Sequence, residues 1–244
     1  MSQRASGYVR RRLDLYQTPG WVIGEGLHPF FPVTGLDVCE PCAGPGKMVR
    51  TLEALGARVF PSDRVNYARH YARRRLSAPL FRQIDFLERP HGSCAGVDAW
   101  VINPPYGPEG TTAEAFISRG LELLRAAPEY KRGAFLAVLL PVDFDSASSR
   151  AHLFELNRNF HARIILRRRI EWFKRPKGKS GPSQNHCWFI WCAEERAPGV
   201  QPIVFYAPAA RVRQRALAYA HDTGIATSAI KHLIASTTGE RNGR

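Results

Sequence analysis

Leu36-Asp37-Val38-Cys39-Glu40-Pro41-Cys42-Ala43-Gly44-Pro45-Gly46 reads as a short apolar strand running straight into a turn of glycine and proline. Lys47 to Leu55 follows, with Val49, Leu52 and Leu55 at helical spacing, and Gly56 marks its end. Strand, glycine turn and helix in this order make the first unit of an α/β fold. Glycines at such a turn let a ligand approach the backbone closely. The helix beyond presents N–H groups that have no partner within the helix.

Outward from this unit, apolar runs and helical stretches alternate. Arg58-Val59-Phe60 is a second strand ending near Asp63, Asn66 to Leu76 a basic helix, and Pro79 to Ile84 a third strand ending at Asp85. Ala99 to Ile102 is a fourth strand, stopped by Asn103-Pro104-Pro105, and Thr112 to Ala127 is helical. The continuous apolar run Ala134 to Leu140 predicts a central parallel strand covered on both faces. Ile164 to Leu166 and Cys187 to Cys192 complete the strands, with Ile203 to Tyr206 one more at an edge. The pattern predicts a mainly parallel sheet flanked by helices. Residues 1–207 read as one domain with a basic arm at 1–13, and 208–244 as a helical tail.

The chain carries 35 Lys and Arg against 21 Asp and Glu, a formal charge of +14 over 244 residues. Such an excess favours a polyanion, because each phosphate contact releases counterions. Nucleic acid leads over an anionic membrane surface, since no strongly basic amphipathic helix is evident. No run of about eighteen apolar residues exists to cross a bilayer. Arg4, Arg10, Arg11 and Arg12 are followed by no apolar stretch, so a secretory signal is not expected. Five cysteines at irregular spacing fit reduced thiols in a cytoplasmic setting. Cys39 and Cys42 form a lone C-x-x-C pair; zinc requires a second pair, so no metal is expected.

The glycine turn discriminates between ligands. A dinucleotide turn has a third glycine, but Gly44-Pro45-Gly46 is followed by Lys47-Met48-Val49. Glu40 would repel a pyrophosphate and suits a cationic sulfonium and amino group, which points to S-adenosylmethionine. Asp63, seventeen residues after Gly46, is positioned to accept from ribose hydroxyls. Asp85 can accept from an adenine amino group, with Phe86 beside it to pack on the ring.

Asn103-Pro104-Pro105-Tyr106 follows the fourth strand directly. Two prolines remove two backbone donors and fix φ, so the turn is stiff and ends the strand. The Asn103 side-chain oxygen and the Pro104 carbonyl are acceptors held in a fixed relation. An amino group set between them would donate both protons and present its lone pair to a methyl donor. Tyr106 offers a flat face for a base drawn out of its stack.

With these residues the sequence resembles the class I methyltransferases, and within them the amino-methylating DNA adenine methyltransferases, over roughly residues 14 to 193. Tyr16-Gln17-Thr18-Pro19 is similar to the N-terminal cofactor motif of that family, so Tyr16, Thr18 and Pro19 are expected at the methionine part of the cofactor. Glu40, Pro41, Cys42, Ala43, Gly44 and Gly46 match its glycine loop, Asp63 and Asp85 its ribose and adenine acids, and Asn103, Pro104, Pro105 and Tyr106 its catalytic turn. The motif order is that of the γ class. The resemblance implies a Rossmann-like, seven-stranded sheet with its last strand antiparallel. It also implies S-adenosylmethionine as cofactor and adenine N6 in DNA as target, in a bacterial or phage-type setting.

About fifty residues follow Cys192, too few for the recognition domain usual in that class. Recognition is therefore expected from Trp172 and Phe173, which could stack on the base, from Lys174, Lys177 and Lys179 of the basic loop, from the Arg12 arm, or from a separate specificity partner. The same turn also serves RNA methylation at adenine N6 or guanine N2, and methylation of protein glutamine. RNA is the alternative polymer. Direct in-line transfer needs no enzyme nucleophile, so neither Cys39 nor Cys42 is expected to act as one. A nucleic-acid-binding module without catalysis would carry damaged motifs, and these are intact.

Overall fold

In a computed structural model of the chain, residues 16–74, 81–89, 96–126, 133–172, 182 and 184–207 are described. The expected arm, basic loop (Phe173, Lys174, Lys177 and Lys179 included) and C-terminal tail lie outside these residues. Among the described residues the elements are α1 (Gly20–Gly24), β1 (Asp37–Glu40), α2 (Lys47–Ala54), β2 (Arg58–Asp63), α3 (Ala68–Arg74) and β3 (Arg82–Gln83). There follow β4 (Ala99–Ile102), α4 (Thr111–Arg125), β5 (Phe135–Pro141), β6 (Phe160–Leu166), β7 (His186–Cys192) and β8 (Ile203–Ala207).

The strands form one sheet in the order β3-β2-β1-β4-β5-β7-β6-β8. β1 lies between β2 and β4, both parallel to it, and β4 pairs parallel with β5. β7 inserts antiparallel between β5 and β6, matching Ala137 with Ile190 on one side and Ile164 with Trp188 on the other. β8 adds to the outer edge of β6 in parallel. The sheet therefore has eight strands, not the seven expected, because the edge segment pairs over its full length. The third strand is shorter than expected: only Arg82 and Gln83 pair, and both are exposed.

Side chains alternate between two cores, as the two-residue period of a strand requires. Val38, Val101, Ala137, Leu139 and Trp188 face the layer that holds α1 and α2. Cys39, Trp100, Ile102, Leu136, Val138 and Phe189 face the opposite layer, with Phe116, Ile117, Leu121 and Leu124 of α4. β5 and β7 are buried along their whole length, the consequence of being covered on both faces. In α3 only Tyr71 is buried, so Arg69, Arg73 and Arg74 form a solvated face. Among the described residues no helix is long and apolar enough to cross a membrane.

Candidate active site

The parallel strands β1, β2 and β4 end on one edge of the sheet, and their following turns build the site. Glu40 closes β1. The chain then turns through Gly44 at φ 49° and Gly46 at φ 84°, values that favour glycine. Gly46 is the N-cap of α2 in a left-handed conformation, without a side-chain cap. The turn is tied across the sheet to β2. The Ala43 N–H donates to the Ser62 carbonyl at 3.0 Å, and the Gly44 N–H donates to Asp63 Oδ2 at 2.9 Å. Asp63 Oδ1 accepts from the Val65 N–H at 2.8 Å, which leaves lone pairs on both oxygens for further donors.

A cleft opens above this turn. It is lined by Glu40, Cys42, Ala43, Gly44, Pro45, Lys47 and Met48 from one side. Tyr16, Gln17, Thr18 and Asn103 close the other. The N-terminal motif, the glycine turn and Asn103 thus meet around one space. Pro41 and Gly46 support it as buried members of the turn, and Pro19 is the N-cap of α1.

The electrostatics of the cleft suit a cation. Glu40 is 1% exposed, and its Oε2 has no hydrogen-bond partner. Burial holds its carboxyl well above the usual range, and the nearby Asp63 and Glu53 add to the effect. Asp63 is also raised by burial, opposed by its two backbone N–H partners. Burial likewise pushes the Cys42 thiol well up, which favours its protonated form. Cys39 lies in the core, its Sγ accepting from Arg89 Nη1 at 3.3 Å. Among the described residues no group of three His, Cys, Asp or Glu is placed to hold a metal ion.

The Asn103–Tyr106 turn leaves the end of β4 beside the cleft. Asn103 Nδ2 donates to the Tyr16 carbonyl and to Thr18 Oγ1, both at 3.1 Å. Pro104 is buried and Pro105 half-buried. The Tyr106 carbonyl accepts from the Ala113 N–H in the first turn of α4 at 3.3 Å. Gly107 follows at φ 69°, where a Cβ would lie 2.0 Å from Thr112 Oγ1. This glycine, which the sequence reading did not single out, supports the turn from outside the cleft; its signal was its place directly after the two prolines and the tyrosine.

Around this turn runs a chain of rings. Tyr16 meets Trp172 edge-on at 5.7 Å, Trp172 meets His186 edge-on at 5.3 Å, and His186 lies 6.4 Å from Tyr106. Trp172 therefore stands near the Asn103–Tyr106 turn. His186, which no sequence signal singled out, is 2% exposed, with an unpartnered Nδ1. Burial lowers its pKa to about 4, against a backbone hydrogen bond with Gln184 and the charge of Asp143, so the ring is neutral at pH 7.

Two expectations for the third strand fare differently. Asp85 is half-buried near Asp63, its Oδ1 accepting from the Leu87 N–H at 3.0 Å. Phe86 is corrected: its ring is 2% exposed and stacks on Phe116 of α4 at 5.2 Å. It belongs to the core beneath the sheet edge and does not wall the cleft.

No family profile matches the sequence, and no curated protein matches it. Solved structures match by fold. A modification subunit of a proposed type I restriction enzyme from Vibrio vulnificus superposes with a TM-score of 0.56 at 16% identity, over 78% of this chain and 49% of that one. A proposed class I S-adenosylmethionine-dependent methyltransferase from Listeria monocytogenes gives 0.52 at 17% identity, over 77% and 63%. The M protein of the type I restriction enzyme EcoKI gives 0.52 at 13% identity, over 72% and 43%. The match spans from under half to just under two thirds of the length of these structures. With its β7 insertion and strand order, the chain has the Rossmann-like fold of the class I S-adenosylmethionine-dependent methyltransferases.

Proposed function

We propose that this protein is an S-adenosylmethionine-dependent methyltransferase that modifies an exocyclic amino nitrogen, with adenine N6 in DNA as its target. The observation that carries the reading is the convergence of Glu40, the Gly44–Gly46 turn, Thr18 and Asn103 on one cleft. The buried, unpartnered Glu40 Oε2 fits a cationic ligand, and Asp63 has lone pairs left for ribose hydroxyls. When bound, S-adenosylmethionine supplies an electrophilic methyl group on a sulfonium.

The chain's own residues do the rest. Glu40 offers a carboxyl whose ionised form a neighbouring cation favours, and Lys47 with the N–H groups at the start of α2 would meet the cofactor's carboxylate. Asn103 Oδ1 and the Pro104 carbonyl accept hydrogen bonds from both N–H groups of the target amino group and hold its lone pair toward the cleft; one of these protons is released to solvent after the nitrogen is methylated. Tyr106 and Trp172 supply faces for an extruded base. The +14 charge favours a polyanion over a protein substrate, and the Tyr16–Pro19 motif, with the fold shared with modification subunits of restriction enzymes, favours DNA over RNA. The basic loop with Phe173, Lys174, Lys177 and Lys179, or a separate specificity partner, supplies recognition.

The experiment is incubation with labelled S-adenosylmethionine and DNA or RNA side by side, followed by nucleoside analysis. N6-methyladenine from DNA is the expected product. Label in RNA alone would move the target to that polymer. No transfer to either polymer would contradict a nucleic-acid substrate.

A further inference from the structure

Asn103 and the N-terminal motif are 85 residues or more apart in sequence, yet they share two hydrogen bonds. The Tyr16 carbonyl can only accept, so the atom facing it must be Nδ2 of the carboxamide. Thr18 Oγ1 accepts the second proton of the same group. Both protons are satisfied, and the amide cannot flip without setting its oxygen against the Tyr16 carbonyl. Among the described residues none donates to Asn103 Oδ1. Thr18 is 3% exposed, so its hydroxyl has little freedom to seek water instead.

We infer that the Thr18 hydroxyl, with the Tyr16 carbonyl, is a positioning element that fixes the orientation of the Asn103 carboxamide and so aims Oδ1 at the target amino group. This rests on the reading of Asn103 given above. It adds a second duty to a segment whose sequence signal was cofactor contact. Tyr16 and Thr18 also line the cleft. One stretch of chain therefore both borders the cofactor space and sets the acceptor on the other side of the methyl group.

The test uses the full chain with Thr18→Val, which keeps the shape and removes the hydroxyl, and Thr18→Ser, which keeps the hydroxyl. The first readout is the Asn103 side-chain NH2 pair in 1H–15N spectra without cofactor, assigned by its loss in Asn103→Ala. In the wild type both protons should exchange with solvent roughly tenfold or more slowly than those of exposed Asn66, as hydrogen-bonded protons do. Thr18→Val should lose the protection of one proton, and Thr18→Ser should keep both. The second readout is single-turnover methyl transfer beside the dissociation constant of the cofactor. With cofactor saturating, as set by that constant, Thr18→Val should lower the transfer rate about tenfold, the effect of one hydrogen bond. Thr18→Ser should restore the rate. Fast exchange of both protons in the wild type would overturn the inference. So would equal transfer rates in Thr18→Val and wild type. A wild type that modifies no polymer would sink the functional reading alone, and the exchange measurement would still decide whether Thr18 orients Asn103.

Discussion

Asp63 Oδ2 accepts the Gly44 N–H at 2.9 Å, so the end of β2 holds the turn that leaves β1. Its other oxygen holds Val65. The same carboxylate that would receive ribose hydroxyls therefore also shapes the glycine turn. Asp63→Ala removes both backbone partners at once. We expect a loss of roughly 1–3 kcal/mol in stability by urea denaturation, together with at least about tenfold weaker cofactor binding by calorimetry. Weakened binding at unchanged stability would mean that the carboxylate does not support the turn.

Glu40 is a buried acid whose carboxyl is raised well above its usual value of 4.5. A raised folded value means that its stability contribution is complete below about pH 4.5 and is lost as pH rises toward the folded value. At pH 7 the cofactor-free protein therefore bears a cost that Glu40→Gln relieves. The variant should melt higher than wild type at pH 7, with the gap closing toward pH 4. It should also show a smaller rise in Tm on adding S-adenosylmethionine. An equal ligand-induced rise in both proteins would remove Glu40 from the binding account.

His186 titrates in the opposite sense. Its folded pKa of about 4 lies below the usual 6.5, so its contribution is present above pH 6.5 and lost as pH falls toward 4. The whole window is worth up to about 3 kcal/mol. Unfolding in urea at pH 7 and pH 5 should show His186→Phe losing less stability than wild type. His161, lowered chiefly by burial, keeps part of the acid sensitivity in both. Identical pH dependence in the two proteins would show that His186 is not buried as described.

Gly107 is needed for its backbone and its lack of a side chain. At φ 69° and ψ −179° an alanine is strained, and its Cβ would also press on Thr112. Gly107→Ala should cost about 1–3 kcal/mol and lower methyl transfer through displacement of the adjoining Asn103–Tyr106 turn. Wild-type Tm and activity would contradict that reading.

The sequence made some of this legible for physical reasons. β1, β4, β5 and β7 are apolar runs because both faces of those strands are covered, and such runs are visible in one dimension. The run at Cys187–Cys192 carries no direction, and the antiparallel last strand came from the family resemblance alone. β3 is two exposed residues, too little pattern to bound. α1 is a five-residue helix opening on Gly20, without apolar periodicity to betray it. In the site, Glu40 to Gly46 could be read because the residues are contiguous. Phe86 was misread because the strand stops at Gln83, and the chain bends at Phe86, where strand alternation sets no facing. His186 and the Thr18–Asn103 contact depend on segments brought together by the sheet, which no local spacing expresses.

The central claim is that Asn103 captures the amino group to be methylated. Its most direct test compares wild type with Asn103→Ala in single-turnover transfer of labelled methyl into DNA, with cofactor affinity measured on the same samples. The account predicts that Asn103→Ala, saturated with S-adenosylmethionine, forms N6-methyladenine at least about a hundredfold more slowly than wild type. Equal transfer by the two proteins would contradict it.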